Sequence, residues 1–177
     1  RENLGLNDPF VMQFARFTGD MLQGDFGYSY RTRQPVGEMI SSRVPATLEL
    51  GVVALIISLL VGIPAGVFTA LRPRGFATQT ILMTTLVGVS IPTFVIGIML
   101  IFLFGVQLGW LPTFGRGGTI QIGGWNSSLF TIDGWRALLL PAITLGVYQL
   151  TLTMRLVRAE MMEVLRSDYI RFGMARG

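Results

Sequence analysis

Residues 50–71 read LGVVALIISLLVGIPAGVFTAL, an uncharged run between Glu49 and Arg72. A helix needs about 20 predominantly apolar residues to cross the hydrocarbon core of a bilayer. The whole chain of 177 residues contains only 14% charged residues and has a mean hydropathy of +0.58, whereas soluble domains contain about 25% charged residues. The sequence therefore predicts an integral membrane protein with its clearest span at about residues 48–71.

The composition excludes most catalytic chemistry within these residues. The chain has no Cys and no His, and each of its 14 basic residues is Arg. A thiolate nucleophile, a disulfide, a zinc site built from Cys and His, and a His general base are therefore excluded. We expect no catalytic residue, no bound cofactor and no metal site, and hence a protein that is not an enzyme.

Two further stretches are apolar enough to cross a membrane. No charged residue lies between Arg74 and Arg116, but a hairpin turning near Pro92 would leave a first arm of about 15 residues, which is too short for a span. We therefore predict one span at about residues 80–106, kinked at Pro92. A third span is predicted at about residues 137–156, with Pro141 in its first turn, where the missing N–H costs little.

The placement of Arg predicts the orientation of these three helices. Arg72 and Arg74 follow the first span, and five Arg from Arg155 onward accompany three acidic residues at the end of the third span and beyond it. Because Arg is enriched in cytoplasmic loops, both segments are predicted to be cytoplasmic. Residues 1–45, in which five Arg balance five acidic residues, are predicted to be an external region, and residues 46–177 the membrane domain.

The external region is predicted to begin with a helix that has one apolar face. Asp8 and Pro9 are typical of a helix start. The residues on the apolar face are Phe10, Phe14, Phe17 and Met21. Packing against protein is the simpler interpretation, and a position at the membrane interface is the alternative.

Three other segments outside the spans have recognisable local patterns. Residues Gly24–Gly27 indicate a turn, and Pro35–Ser42 predicts a short helix that precedes the first span. The stretch Trp110–Trp135 is rich in Gly and Trp without periodicity, so we expect an ordered external loop or lid. Its aromatic residues are equally suited to anchoring at the membrane interface and to contacting a ligand.

Small and polar residues inside the spans indicate helix contacts or a path. Gly62, Gly66 and Ala70 recur every four residues, a spacing that allows two helix backbones to approach closely, and packing is the preferred interpretation. A polar stripe in the third span either packs against helices or lines a hydrated path. The candidate path residues, which include two at the predicted kink, are Ser90, Pro92, Thr144, Tyr148 and Thr151.

The spans contain no mid-membrane charge, and the segment that follows them is amphipathic. The absence of buried Asp, Glu or Arg argues against a proton relay or an ion-coupled transporter, so the energy for any transport should enter elsewhere. Apolar residues recur with helical spacing at Met161, Leu165, Tyr169 and Phe172. Ser167 or Asp168 is placed to cap a new short helix, which would lie on lipid or dock into a partner.

Several short motifs occur in an order that identifies a family. They are Leu6–Pro9, Gln23–Gly27, Arg43–Leu50, Ser90–Phe94, Leu108–Pro112, Arg158–Leu165 and Asp168–Arg171. On these motifs the chain resembles the inner-membrane permease subunits of bacterial dipeptide and oligopeptide ABC importers, the branch that includes glutathione and nickel permeases. The resemblance implies the all-α transmembrane fold of type I ABC importers, here a part with three transmembrane helices of a permease with six.

The resemblance also implies a coupling segment and a set of partners. In that family a cytoplasmic loop docks into the ATP-hydrolysing subunit, and here it would lie within residues 158–177. The implied coupling residues are Ser167, Asp168, Tyr169, Ile170, Arg171, Phe172, Ala175, Arg176 and Gly177. The implied partners are a second homologous permease, two ATP-binding subunits, an external solute-binding protein and the lipid bilayer of the inner membrane.

Two other functional classes were weighed against a permease. A membrane-embedded enzyme or a non-transporting scaffold subunit is the alternative, but intramembrane catalysis normally needs His, paired acids or a Ser/Lys dyad, and the three spans contain none. Nucleic-acid binding by the Arg-rich tail is weaker, because orientation alone accounts for those Arg. The residues do not distinguish dipeptide, oligopeptide, glutathione and nickel chelate as substrates.

Overall fold

The computed structural model describes residues 9–167 and residue 170. The chain divides into two compact units, Arg1–Pro45 and Ala46–Gly177. The elements in chain order are α1 (Phe10–Leu22), β1 (Tyr28–Ser29), β2 (Gln34–Pro35), α2 (Val36–Leu71), α3 (Phe76–Ser90), α4 (Thr93–Leu100), a π-helix (Ile101–Gln107), β3 (Ile120–Ile122), β4 (Trp125–Ser127) and α5 (Ile132–Arg166).

The first unit contains α1, a glycine turn and a small hairpin. Gly24 and Gly27 have φ angles of +86° and +74°, and Gly27 N–H donates to the side chain of Asp25 at 2.9 Å, which confirms the predicted turn. The hairpin pairs β1 with β2 in antiparallel register. Helix α1 has no buried residue within the described chain, so the preferred interpretation that its aromatic face packs against protein has no support here.

Helix α2 is one continuous element from Val36 to Leu71, so the prediction of a separate short helix at Pro35–Ser42 is wrong. Pro45 removes one backbone hydrogen bond, but its fixed φ is compatible with a helix, and the helix continues through it. At about 1.5 Å per residue α2 is roughly 54 Å long, which exceeds the bilayer core of about 30 Å. Apolar side chains are exposed on several sides of α2, as in a helix that faces lipid.

The segment after α2 is sharply bent. The Gly75 N–H and the Thr78 hydroxyl both donate to the Arg72 carbonyl, at 3.2 and 2.7 Å, and close a turn between α2 and α3. The helical segments on either side of Pro92 then meet at 104°. The break lies where the kink was predicted, although α3 begins at Phe76 rather than near residue 80. Two helices at this angle fit one broken span or a re-entrant segment, so a single span here remains a prediction.

Helix α5 runs from Ile132 to Arg166 and is longer at both ends than the predicted third span. Its start is fixed by Thr131, whose hydroxyl oxygen accepts from Gly134 N–H at 3.0 Å. Pro141 consequently lies in the third turn, and its predicted position in the first turn is wrong. The N–H of Ser167 donates to the Val164 carbonyl at 3.0 Å and ends the helix.

Helix α5 is the centre of the second unit, and glycines bring other helices close to it. It packs against α3 and α4. An added Cβ would lie 3.4 Å from Val147 at Gly88 and 3.3 Å from Thr144 at Gly97. At Gly146 of α5 itself, an added Cβ would lie 3.3 Å from the carbonyl oxygen of Ala54 in α2. Helices α2 and α5 are each long and apolar enough to cross a membrane, and the bent pair is a third candidate.

Candidate translocation site and loop anchor

Two cavities of about 440 Å³ each lie beside the helix break and share the lining residues Thr93 and Leu145. The Tyr148 cavity is lined by Gly51, Ala54, Leu55, Thr93, Leu145, Tyr148 and Gln149. The Thr144 cavity is lined by Leu50, Thr93, Gly97, Ile101, Pro112, Thr113, Phe114, Gly115, Ala137, Leu140, Pro141, Thr144 and Leu145. Thr93, which directly follows Pro92, lines both cavities. Neither lining includes a charged residue of the described chain.

The structure separates the five candidate path residues. Thr144 and Tyr148 each line one of these cavities, and the Tyr148 side chain is exposed. Thr151 is buried, and its hydroxyl donates to the Val147 carbonyl at 3.0 Å. Ser90 is exposed, and its hydroxyl donates to the Leu86 carbonyl at 2.9 Å. Ser90, Pro92 and Thr151 are not among the residues that line these two cavities.

The polar groups of the two cavities can recognise neutral donors and acceptors. Hydroxyl groups donate one hydrogen bond and accept two, and the amide of Gln149 does both. The Thr144 hydroxyl donates to the Leu140 carbonyl at 2.8 Å, so its lone pairs remain the acceptor. Pro141 has no N–H for the carbonyl of Ala137 in the preceding turn, and both of these residues line the Thr144 cavity.

Of the three small residues of α2, Gly62 and Gly66 lie against α5, and Ala70 is buried. An added Cβ at Gly62 would lie 3.1 Å from the Leu150 carbonyl oxygen, and one at Gly66 would lie 2.8 Å from Val157. The absence of a side chain at Gly62 and Gly66 therefore allows the backbones of α2 and α5 to approach at this spacing.

The burial of one carboxylate in α2, that of Glu49, was not predicted from the sequence. Glu49 is only 3% exposed. Its two oxygens accept from the Trp125 indole N–H and from the Ser128 backbone N–H, both at 3.0 Å. The Arg116 guanidinium lies 3.7 Å from the same carboxylate and donates to the Asn126 carbonyl at 2.9 Å. An ionised carboxylate only accepts hydrogen bonds, so these donors match it.

The donors to Glu49 come from the stretch Trp110–Trp135, which was expected to be an ordered loop and contains a hairpin that the sequence analysis did not predict. Strands β3 and β4 pair in antiparallel register around Gly123–Gly124, and Gly123 has a φ of +62°. The stretch ends inside α5. Its indoles have partners within the chain, since Trp135 donates to the Leu129 carbonyl at 2.8 Å and the Trp110 ring contacts Phe104. A two-residue Gly-Gly turn between apolar residues was the available signal for the hairpin.

Residues 62–177 match the model of a family described as the inner membrane component of binding-protein-dependent transport systems. The chain belongs to this family. It is thus an all-α, multi-pass protein of the inner membrane, with two short hairpins in its described part.

Several curated permeases are similar to the chain over its whole length. A probable peptide ABC transporter permease of Sinorhizobium fredii is 38% identical over 100% of the chain. An oligopeptide transport permease of Bacillus subtilis is 40% identical over 99% of it, and a dipeptide transport permease of Alkalihalophilus pseudofirmus is 36% identical over 99%. The matches cover 54%, 54% and 56% of these relatives, so the chain spans about half their length.

The residues that the resemblance assigned to ATPase coupling lie at the end of the region that matches this transport family. Ser167 and Ile170 are described, and the Ser167 hydroxyl donates to the Val164 carbonyl at 2.7 Å. Asp168, Tyr169 and residues 171–177 lie outside the described residues. The coupling role of this segment therefore remains a prediction.

Proposed function

We propose that this chain is part of a permease subunit of an ATP-driven importer and forms one wall of a path for di- and oligopeptides. The observation that carries the proposal is the pair of uncharged cavities beside the helix break, both lined by Thr93, in a chain of this family. Relatives named for peptide, oligopeptide and dipeptide transport support the substrate class.

The lining of the cavities suits a peptide whose side chains vary. All peptides share backbone N–H and C=O groups, which hydroxyl and amide side chains can pair with. A fixed charge in the wall would favour peptides of the opposite charge, and neither cavity lining includes one among the described residues. We therefore assign Thr93, Thr144 and Tyr148 to the path, with Ser90 and Pro92 forming the break beside it.

Residues that pack the helices are proposed to be distinct from the path residues. Thr151 is buried and its hydroxyl is bonded within its own helix, which supports a packing role. Gly62, Gly66 and Ala70 are proposed to form the seam between α2 and α5, because the first two have no space for a side chain.

The energy for transport is proposed to come from other subunits. We propose a second permease, two ATP-binding subunits and an external solute-binding protein as partners. The turn after α2 and residues 158–177 would be cytoplasmic, as the placement of Arg predicts. Residues 158–177 would then transmit the movement of an ATP-binding subunit to α5, which packs against α3 and α4 beside both cavities.

The experiment is uptake of radiolabelled di- and tripeptides into proteoliposomes that contain the complete importer, with ATP supplied to the ATP-binding subunits. Thr144→Trp and Tyr148→Trp place an indole in the two cavities and should abolish uptake. Leu152→Trp is the matched control, because Leu152 is exposed on the same helix and lines neither cavity.

Wild-type uptake by both cavity variants would contradict the path assignment. Uptake of labelled glutathione and of a labelled nickel chelate, each measured separately in the same proteoliposomes, identifies the substrate class. If either is transported and peptides are not, the permease proposal stands and the peptide assignment fails.

A further inference from the structure

We propose that Glu49 is a positioning residue for the outer wall of the Thr144 cavity. This inference rests on the proposed path, but the contacts that carry it lie elsewhere. The wall consists of residues 112–115, which line the cavity opposite Thr93 and Thr144 on the helices. We call residues 108–131 the wall loop.

One end of the wall is held by the π-helix. The Phe104 carbonyl accepts from Trp110 N–H at 2.9 Å and from Leu111 N–H at 3.2 Å. An added Cβ at Gly105 would lie 2.5 Å from the Thr113 methyl group, so the loop lies directly on the π-helix backbone. These contacts end at the residues where the cavity wall begins.

The other end of the wall is held by Glu49. Arg116 directly follows the wall, and its guanidinium lies 3.7 Å from the Glu49 carboxylate. Trp125 and Ser128 donate to the same carboxylate, so one buried side chain binds the loop at three points. Leu50, the neighbour of Glu49 in α2, itself lines the Thr144 cavity. The anchor is therefore the direct neighbour in α2 of a residue that lines the cavity.

Removal of the Glu49 carboxylate should destabilise the position of the wall loop. Removing the carboxylate leaves the buried Ser128 N–H and the part-buried Trp125 indole N–H without their acceptor, and an unpaired donor away from water is costly. Arg116 Nε and Ser128 Oγ are already buried without a hydrogen-bond partner among the described residues. The carboxylate is thus the acceptor for both the Trp125 indole N–H and the Ser128 N–H, and its removal favours movement of the loop toward water, where these donors are satisfied again.

The test is the rate at which a single Cys at position 144 reacts with a membrane-impermeant maleimide, in the assembled importer without ATP. The 177 residues of this chain contain no native Cys. A hydrogen bond to a charged group contributes a free energy that corresponds to about a tenfold change in an equilibrium constant, here that between the closed and the opened wall loop. With Glu49→Ala the Thr144→Cys probe should therefore react at least about tenfold faster. Trp125→Phe keeps an aromatic ring, removes one donor and should give a smaller increase.

Two controls separate positioning from loss of stability. Asp133→Ala removes a carboxylate whose partner, Arg136, is 4.0 Å away on the surface, so labelling should not change. A Met154→Cys probe, at a residue that is 0% exposed, should stay unreactive in every variant. Faster labelling at both probes would mean general loosening and would overturn the proposal.

Labelling of position 144 that is unchanged by Trp125→Phe and by Glu49→Ala would also overturn it. If Glu49→Ala does not assemble, Trp125→Phe decides the question. The labelling assay does not require transport, so an importer that takes up no peptide but shows the expected labelling would refute the proposed function and leave the anchor intact.

Discussion

Replacement of Gly66 by Ala should weaken the packing of α2 against α5. A Cβ at Gly66 would lie 2.8 Å from the Cβ of Val157 and 2.9 Å from the carbonyl oxygen of Met154. Carbon atoms in ordinary contact are about 3.5–4.0 Å apart. One of the two neighbours is a backbone atom that cannot rotate away, so the helices themselves would have to move apart.

The expected magnitude is a balance of two effects. Adding a methyl group to a packed contact costs about 1–3 kcal/mol, whereas Ala is favoured over Gly in a helix by up to about 1 kcal/mol. A net loss of about 1–2 kcal/mol would lower the unfolding midpoint by roughly 1–3 °C in a permease as long as the relatives, of which this chain covers about half.

The assay is thermal unfolding of the complete permease in detergent, followed by intrinsic fluorescence. Gly62→Ala should have an intermediate effect, because its Cβ would lie 3.1 Å from the nearest atom. Gly51→Ala is the matched control in the same helix, since no described residue outside its own stretch of helix lies within 4 Å of an added Cβ, and it should keep or raise the midpoint. A midpoint for Gly66→Ala equal to or above that of Gly51→Ala would refute the reasoning.

Three smaller perturbations test other contacts. Thr131→Ala removes the cap of α5 and should cost about 1 kcal/mol, seen as a lower midpoint that Thr131→Ser restores; an unchanged midpoint would contradict the cap. Gly123→Ala strains a turn residue with a φ of +62° and should speed proteolysis of the wall loop, whereas Gly124→Ala should not. Thr151→Val removes a hydroxyl bonded within its own helix and should leave peptide uptake unchanged; lost uptake would assign Thr151 to the path.

Local rules predicted the elements that depend on neighbouring residues. The uncharged run after Glu49 is helical, the turn at Arg72 follows from Pro and Gly beside it, and the break lies at Pro92. Each of these features is decided within a few residues, by hydropathy or by a residue that cannot continue a helix.

The positions of the helix ends could not be predicted from the sequence pattern alone. The sequence pattern predicts Pro141 in the first turn of a helix, but Pro141 lies inside a longer helix, and α2 likewise continues through Pro45. A Pro removes one hydrogen bond and still has a helical φ, so the rest of a long helix can continue through it. The start of α5 is instead set by Thr131, which caps the helix. The sequence pattern does not distinguish Thr131 from the other loop residues that could cap a helix.

The hydrogen bonds of Glu49 could not be predicted from neighbouring residues for a different reason. Trp125 and Ser128 are separated from Glu49 by 76 and 79 residues along the chain. Before folding, Glu49 is one acidic residue at the end of an apolar run. Its burial becomes visible only when the hairpin around Gly123 places the donors against α2.

The central proposal, that this chain couples a transport path to ATP-binding subunits, is tested most directly by cross-linking from the predicted coupling segment. A single Cys at Phe172 in the complete permease, with any other Cys replaced, is cross-linked in intact membranes and the captured protein is identified by mass spectrometry. Capture of an ATP-binding subunit is the expected result. Reaction of that Cys with an impermeant reagent from outside, or assembly without any cross-link to an ATP-binding subunit, would contradict the proposal.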